Sequence, residues 1–227
     1  GAMSAELALS DQAMGAVFSA FALGYAIAQI PAGWFADRFG PRLALSVVVA
    51  LWSMLTALTG AAKALNPLLA IRFLFGVAEA GAFPGSARAI YSWLPASNRG
   101  RANGIMFSGT RIGAAVAFPL MAWMMSNWEW RNSFYLLAAP GLLWALGWFA
   151  FFRNHPRRPM AREETGDTPQ HSFRQVFGSR AMALNMFQYF SGNFTFFICL
   201  SWMLPYLQRR YELDLVGAAS YAMVPLL

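Results

Sequence analysis

An all-α fold built from several membrane-spanning helices is what this sequence predicts, and three observations carry the prediction. Apolar residues make up 58% of the 227-residue chain and charged ones 12%, about half the charged share of an ordinary soluble domain. The apolar residues fall in blocks of roughly 20 or more, each long enough as a helix to cross a hydrocarbon core about 30 Å thick. The basic residues collect in alternate connections between those blocks, the pattern of a chain threaded back and forth through a bilayer.

Residues 1–12 are polar enough for a loop, and Ser10 and Asp11 offer side-chain oxygens to cap the helix that follows. Candidate spans then run at about 13–36, 43–62, 67–94, 102–126, 132–152 and 182–206, and a further one begins near Val216. Leu227 is reached before that last span is complete, so the sequence reads as truncated at its C-terminal end. The N-terminus lacks the basic region, short apolar core and small-residue site of a cleavable signal.

Orientation follows from the arginines. One set of connections holds Arg38, Arg42, Arg99, Arg101, Arg153, Arg157, Arg158, Arg162, Arg174 and Arg180; the other holds only Lys63, Arg131, Arg209 and Arg210. The first set is therefore cytoplasmic, which puts loops 37–42, 97–101 and 153–181 inside and the Asn66-Pro67 and Asn127–Arg131 turns outside. Stretch 153–181, rich in Arg, Pro, Thr and Glu, reads as a linker between an N-terminal bundle, 1–152, and the start of a second bundle, 182–227. Its segment from Ser172 to Phe177 could lie as an amphipathic helix on the membrane surface.

The formal charge of +7 is accounted for by these topogenic residues, and no interleaving of basic and aromatic residues suggests nucleic acid. Cys199 stands alone in an apolar block, so neither a disulfide framework nor a cysteine metal site is available. His155 and His171 sit singly in the linker, and neither a phosphate-binding glycine loop nor a Gly-x-Ser-x-Gly elbow occurs. Metal and enzyme chemistry therefore have no visible carrier.

Other residues carry more than packing. The stretch Gly33-Trp34-Phe35-Ala36-Asp37-Arg38-Phe39-Gly40-Pro41-Arg42 gathers a carboxylate and two guanidiniums between spans, either as a solvated turn or as charges that lock a neighbouring helix end. Arg72 and Glu79 lie inside an otherwise apolar helix, where ionisable groups are costly unless they face a partner or an aqueous cavity. Helical spacing puts Arg72, Gly76, Glu79, Phe83 and Ser86 on one face, with the two charges about 10 Å apart along the axis. That is too far for a salt bridge by rise alone. The pair is either a packing network or a binding and proton site. Tyr25 and Gln29 are one turn apart, as are Asn185, Tyr189 and Asn193, either lining a cavity or bonding between helices. Thr110 and Arg111, between Gly109 and Gly113, supply a second intramembrane arginine for an anion, for Glu79 or for the cytoplasmic mouth.

The Gly33–Arg42 string resembles the loop motif of the major facilitator superfamily, Gly-x-x-x-Asp-Arg-x-Gly-Arg-Arg/Lys, with Pro41 departing from the usual basic residue. That motif follows the second helix in the family, so the resemblance implies that helix one is missing and that the chain is part of a twelve-helix fold of two six-helix bundles. It also implies that Asp37, within Gly33, Asp37, Arg38, Gly40 and Arg42, latches the outward-open state through a helix of the other half. Arg72-x-x-x-Gly76-x-x-Glu79-x-Gly81-x-x-Pro84, Trp93-Leu94-Pro95 and Arg99-Gly100-Arg101-Ala102-Asn103-Gly104 resemble the anion:cation symporter branch, as does Trp202–Leu207. The drug/proton antiporter signature Gly-Pro-x-x-Gly-Gly is absent.

By this resemblance Glu79 is the proton-coupling residue with Arg72 beside it, and Tyr25 and Asn193 are substrate contacts; Gln29, Thr110 and Arg111 are candidate substrate contacts from their positions. The implied activity is proton-coupled uptake of an organic carboxylate such as a sugar acid by alternating access, in a multi-pass plasma membrane protein. It implies no cofactor beyond a proton gradient, a small organic anion and the lipid bilayer as partners, no nucleic acid, and a monomer. An exchanger or facilitator of the same superfamily, a non-transporting receptor and a membrane enzyme are the alternatives.

Overall fold

The structure is a computed structural model that describes residues 2–154 and 178–226. Most of the expected linker, with His155, His171 and the Ser172–Phe177 segment, lies outside the described residues. Those described fold into α-helices: α1 (Ala2–Glu6), α2 (Asp11–Ala61), α3 (Leu65–Glu79), α4 (Ala82–Trp93), α5 (Ala96–Asn127), α6 (Trp130–Phe151), α7 (Arg180–Tyr211) and α8 (Leu215–Ala222), with a 3-10 turn at Val224–Leu226.

Two expectations at the start of the chain are revised. The stretch expected as a loop holds α1, because Met3, Leu7 and Leu9 pack on a buried cluster of Val17, Ala62 and Leu68, and the Ser4 hydroxyl donates to the Leu9 carbonyl at 2.9 Å. The expected loop 37–42 shrinks to one non-helical residue, Gly40 (φ 78, ψ 161), so the first two spans run on through a kink. Glycine alone occupies that backbone region without strain, and Pro41 then starts the second half with the fixed φ suited to a first helical turn. Ser10 caps α2 as the sequence suggests, accepting from the Ala13 amide at 3.2 Å.

The span expected at 67–94 is interrupted at Ala80-Gly81, between α3 and α4. Pro84 has no N–H to give the Ala80 carbonyl four residues back, and its ring crowds that carbonyl. Ser179 caps α7 by accepting from Met182 at 3.2 Å, and Asp214 caps α8 by accepting from Gly217 at 3.1 Å.

Among the described residues, four stretches are long and apolar enough to cross a membrane: Asp11–Ala61, Leu65–Trp93, Ala96–Asn127 and Trp130–Phe151. At 51 residues the first is long enough for two crossings, one on each side of Gly40. Helix α7 is not among the four, because Asn185, Gln188, Ser191, Asn193 and Thr195 dilute its apolar content. Large apolar side chains stand outward, Ile30 at 81% and Phe151 at 87% exposure, as lipid-facing positions require and water would penalise.

The chain forms two compact units. One contains the described residues up to Phe107 together with Trp123 to Asn154; the other contains Ser108–Ala122 and the described residues from Gly178 onward. In the first unit, helices approach closely where glycine removes the side chain. A Cβ on Gly24 would meet the Phe73 carbonyl of α3, and one on Gly76 would meet the Phe21 carbonyl and the Tyr25 amide of α2. Beyond the kink, Gly81 and Gly85 admit Val48 and Leu45, and Gly141 of α6 admits Ser53. The second half of α2 is thus the central post against which α4 and α6 pack.

Candidate functional site

The Gly24/Gly76 crossing positions the charged pair. Gly76 sits midway between Arg72 and Glu79, and its missing side chain lets α3 rest against the α2 backbone at Phe21 and Tyr25. Tyr25 is thereby held at the same level as the pair, with its ring 5.9 Å from that of Phe21. Gln29, one turn on, is partly buried. Within this unit the Tyr25 backbone therefore meets α3 at Gly76, between Arg72 and Glu79.

No ion pair within 4.0 Å joins Arg72 to Glu79 among the described residues, in keeping with their separation along the helix. Arg72 Nε is buried without a hydrogen-bond partner, while its Cζ lies 5.8 Å from the ring centroids of both Phe75 and Phe134. Beside Phe134, the Ser133 hydroxyl is also buried and unpartnered. A desolvated guanidinium whose donor is unspent attracts an anionic oxygen, because supplying that acceptor removes the penalty of the orphaned N–H.

Toward the expected cytoplasmic end, the kink residues have distinct partners. Asp37 faces Arg88 of α4, with Oδ1 3.7 Å from Nε and both side chains substantially exposed. Arg42 is tied to the end of α6: its amide donates to Asn154 Oδ1 at 2.9 Å and its Nε to the Phe149 carbonyl at 2.7 Å. Trp148 donates to the Pro41 carbonyl at 3.2 Å, and Trp93 to the Arg153 carbonyl at 2.8 Å. Helices α2, α4 and α6 are thus laced together here. Gly33 lies over Pro84, and Arg38 is solvent-exposed.

At the opposite end, Arg131 donates to the Gly60 and Ala62 carbonyls at 2.6 and 2.7 Å, capping the last turn of α2. Its Nη2 forms an ion pair with Glu6 at 2.8 Å, and the Trp130 indole donates to the same carboxylate. The Arg131 hydrogen bond, followed by that from Trp130, holds the Glu6 carboxyl below the usual carboxylate range.

Thr110, Arg111 and Asn193 belong to the second unit. Arg111 Cζ stands 4.1 Å over the Phe196 ring, and the Asn193 amide donates back to the Tyr189 carbonyl at 2.9 Å. Thr110 is exposed on α5. Sequence reasoning overlooked Phe134, Asn154 and the Glu6–Arg131 bridge. Only Arg131 gave a signal, as the one arginine of its connection in a charge-poor set.

The family whose sequence pattern matches is the Major Facilitator Superfamily, over residues 1–227. Among curated relatives, "Probable sulfoacetate transporter SauU" of Cupriavidus necator is 36% identical, with 98% of this chain and 54% of the relative covered. "Probable L-galactonate transporter" of Escherichia coli is 32% identical, over 98% of this chain and 52% of that one. Among solved structures, a bacterial homologue of the human lysosomal transporter Spinster, inward-facing and unoccupied, aligns with a TM-score of 0.80 and 26% identity. That alignment covers 98% of this chain and 53% of the other. The chain spans about half the length of the curated relatives it matches.

Proposed function

Since this chain belongs to the Major Facilitator Superfamily and is a multi-pass membrane protein, we propose that it serves proton-coupled symport of a small organic carboxylate by alternating access. The observation that carries the reading is the Arg72–Glu79 pair: two ionisable groups on one apolar helix, left without a direct ion pair, with an unspent buried donor on Arg72. Relatives named for sulfoacetate and L-galactonate transport support an anionic substrate.

In this mechanism an incoming carboxylate takes the Arg72 donors. It then competes with Glu79 for the field of one guanidinium, so loading of anion and loading of proton are linked, each favouring the other. Both charges must be covered before the site can reorient through a low-dielectric interior. Tyr25 and Gln29 on α2 are assigned to substrate contact, and Thr110, Arg111 and Asn193 keep that assignment from the sequence alone. No cofactor beyond the proton gradient is required, and a monomer suffices. The Asp37–Arg88 contact is assigned as the labile latch. Arg42, bonded to Phe149 and Asn154, keeps that region in place rather than switching it.

The test is uptake of labelled L-galactonate and sulfoacetate by the whole protein in proteoliposomes under an imposed inward proton gradient. Gradient-driven accumulation is expected, with Glu79→Gln losing it while keeping exchange of labelled for unlabelled substrate, because Gln imitates a permanently neutral carboxyl. Uptake equal with and without the gradient, and unchanged in Glu79→Gln, would replace symport by exchange or facilitated diffusion. Binding without uptake would indicate a receptor.

A further inference from the structure

The arginines of the first unit use their donors differently. Arg131 places Nε and both terminal nitrogens on carboxylate or carbonyl oxygens, and Arg42 gives its Nε to a carbonyl. Arg42 and Arg131 also stand over rings, Phe149 and Trp130, but Arg72, flanked by Phe75 from its own helix and Phe134 from α6, alone of the three has a buried Nε with no acceptor. Both rings are braced. Phe75 packs on Phe21 at 5.8 Å between centroids, and Phe134 meets Trp130 edge-on at 6.0 Å and 89°. Gly60 of α2 leaves the room in which the Phe134 Cβ sits.

A ring face attracts a cation through its quadrupole, most strongly where water is excluded. It consumes none of the N–H groups, which point outward in the guanidinium plane. A carboxylate partner would hold Arg72 as firmly but would occupy the donors an anionic substrate needs.

We infer that Phe134 is a positioning residue of the anion site: with Phe75 it holds the Arg72 guanidinium through its aromatic face, apart from Glu79, so that the in-plane donors are available to a substrate carboxylate. This rests on the reading of Arg72 as the anion-binding group. It makes α6 a contributor to substrate affinity although Phe134 need not touch the substrate.

The experiment compares Phe134→Leu, which keeps an apolar side chain but removes the π face, with Phe134→Tyr, which restores it, in the whole protein. Labelled L-galactonate and sulfoacetate are the probes, and Arg72→Gln is the reference. Phe134→Leu is expected to raise KM about tenfold with kcat near that of the unmodified protein, and Phe134→Tyr to return KM to its original value. In parallel, the Arg72 15Nε–1Hε signal should show an upfield ring-current shift in the unmodified protein and in Phe134→Tyr, and in Phe134→Leu fall back to the part that Phe75 supplies. An unchanged KM or an unchanged Arg72 signal in Phe134→Leu overturns the inference, as does equal damage in the Leu and Tyr variants, which would indicate packing alone. A normal KM in Arg72→Gln would instead remove the underlying anion-site reading. If neither probe is carried, the Arg72 signal alone decides whether the ring holds the cation.

Discussion

Replacing Gly76 by alanine adds one methyl group at the point where α3 rests on α2. The new Cβ would lie 2.8 Å from the Tyr25 amide nitrogen and 3.0 Å from the Phe21 carbonyl carbon, and closer still to the Phe21 carbonyl oxygen. Ordinary contact begins near 3.4 Å, so the helices must part by roughly 1 Å, because backbone atoms cannot rotate away as a side-chain tip can. Parting by about that distance forfeits a quarter to a half of the dispersion well across the contact, and overpacking of this kind costs about 1–3 kcal/mol. The same shift displaces Tyr25 from Arg72 and Glu79, and a misplacement of about 1 Å near a reacting site costs on the order of 100-fold in rate. Gly104→Ala is the matched control: nothing lies within 4 Å of its added Cβ, and alanine is the better helix former by about 1 kcal/mol. Melting of the purified protein in detergent, read by size-exclusion fluorescence, should fall for Gly76→Ala and hold or rise for Gly104→Ala, with uptake following the same order. If Gly76→Ala melts and transports like Gly104→Ala, the close crossing does not set the site.

Three further outcomes are expected. Gly40→Ala forces a side chain into φ 78, ψ 161 and toward Asn154; it should cost about 1–3 kcal/mol of backbone strain and show as lower melting in the same assay. The Glu6 carboxyl is held below its ordinary 4.5 by Arg131 and Trp130. Its bridge is therefore fully present above that ordinary value and is lost as pH falls through the depressed folded value. Trp130 fluorescence should report an acid transition that Glu6→Gln lacks. Asp37 and Arg88 are 74% and 40% exposed at 3.7 Å, so Asp37→Asn should leave melting within about 1 kcal/mol yet alter labelling of cysteines introduced along α2, since a latch acts on the balance between conformers; unaltered labelling would make the pair ornamental.

The sequence announced the helices well, because hydropathy and loop charge are local sums that no tertiary contact has to supply. Ser10 as a cap was legible for the same reason: the hydroxyl and the amide it satisfies are three residues apart. What escaped depended on distant partners. Helix α1 is held by contacts to Val17, Ala62 and Leu68, and a five-residue segment is too short to declare itself by period. Gly40 and Pro41 were visible as a turn signal, yet the same two residues in a helix that continues beyond them make a kink, and only the backbone angles decide between these outcomes.

The arginines show the limit most clearly. Arg42, Arg72 and Arg131 are chemically identical, and their place in the hydropathy pattern separates only the buried one from the two at helix ends. Their roles come from what α6 offers them. Its C-terminal end presents the Phe149 carbonyl and Asn154 to Arg42, and its N-terminal end supplies Arg131 itself, which turns to the carbonyls of Gly60 and Ala62. Between those ends, Phe134 meets Arg72 with a ring face. All three stand near aromatic rings, but an arginine that also donates to carbonyls is a tether, and one whose buried Nε has no acceptor keeps a donor for something else. Helix α6, whose one charged residue is Arg131, thus distinguishes the two structural arginines from the one with chemistry left to do.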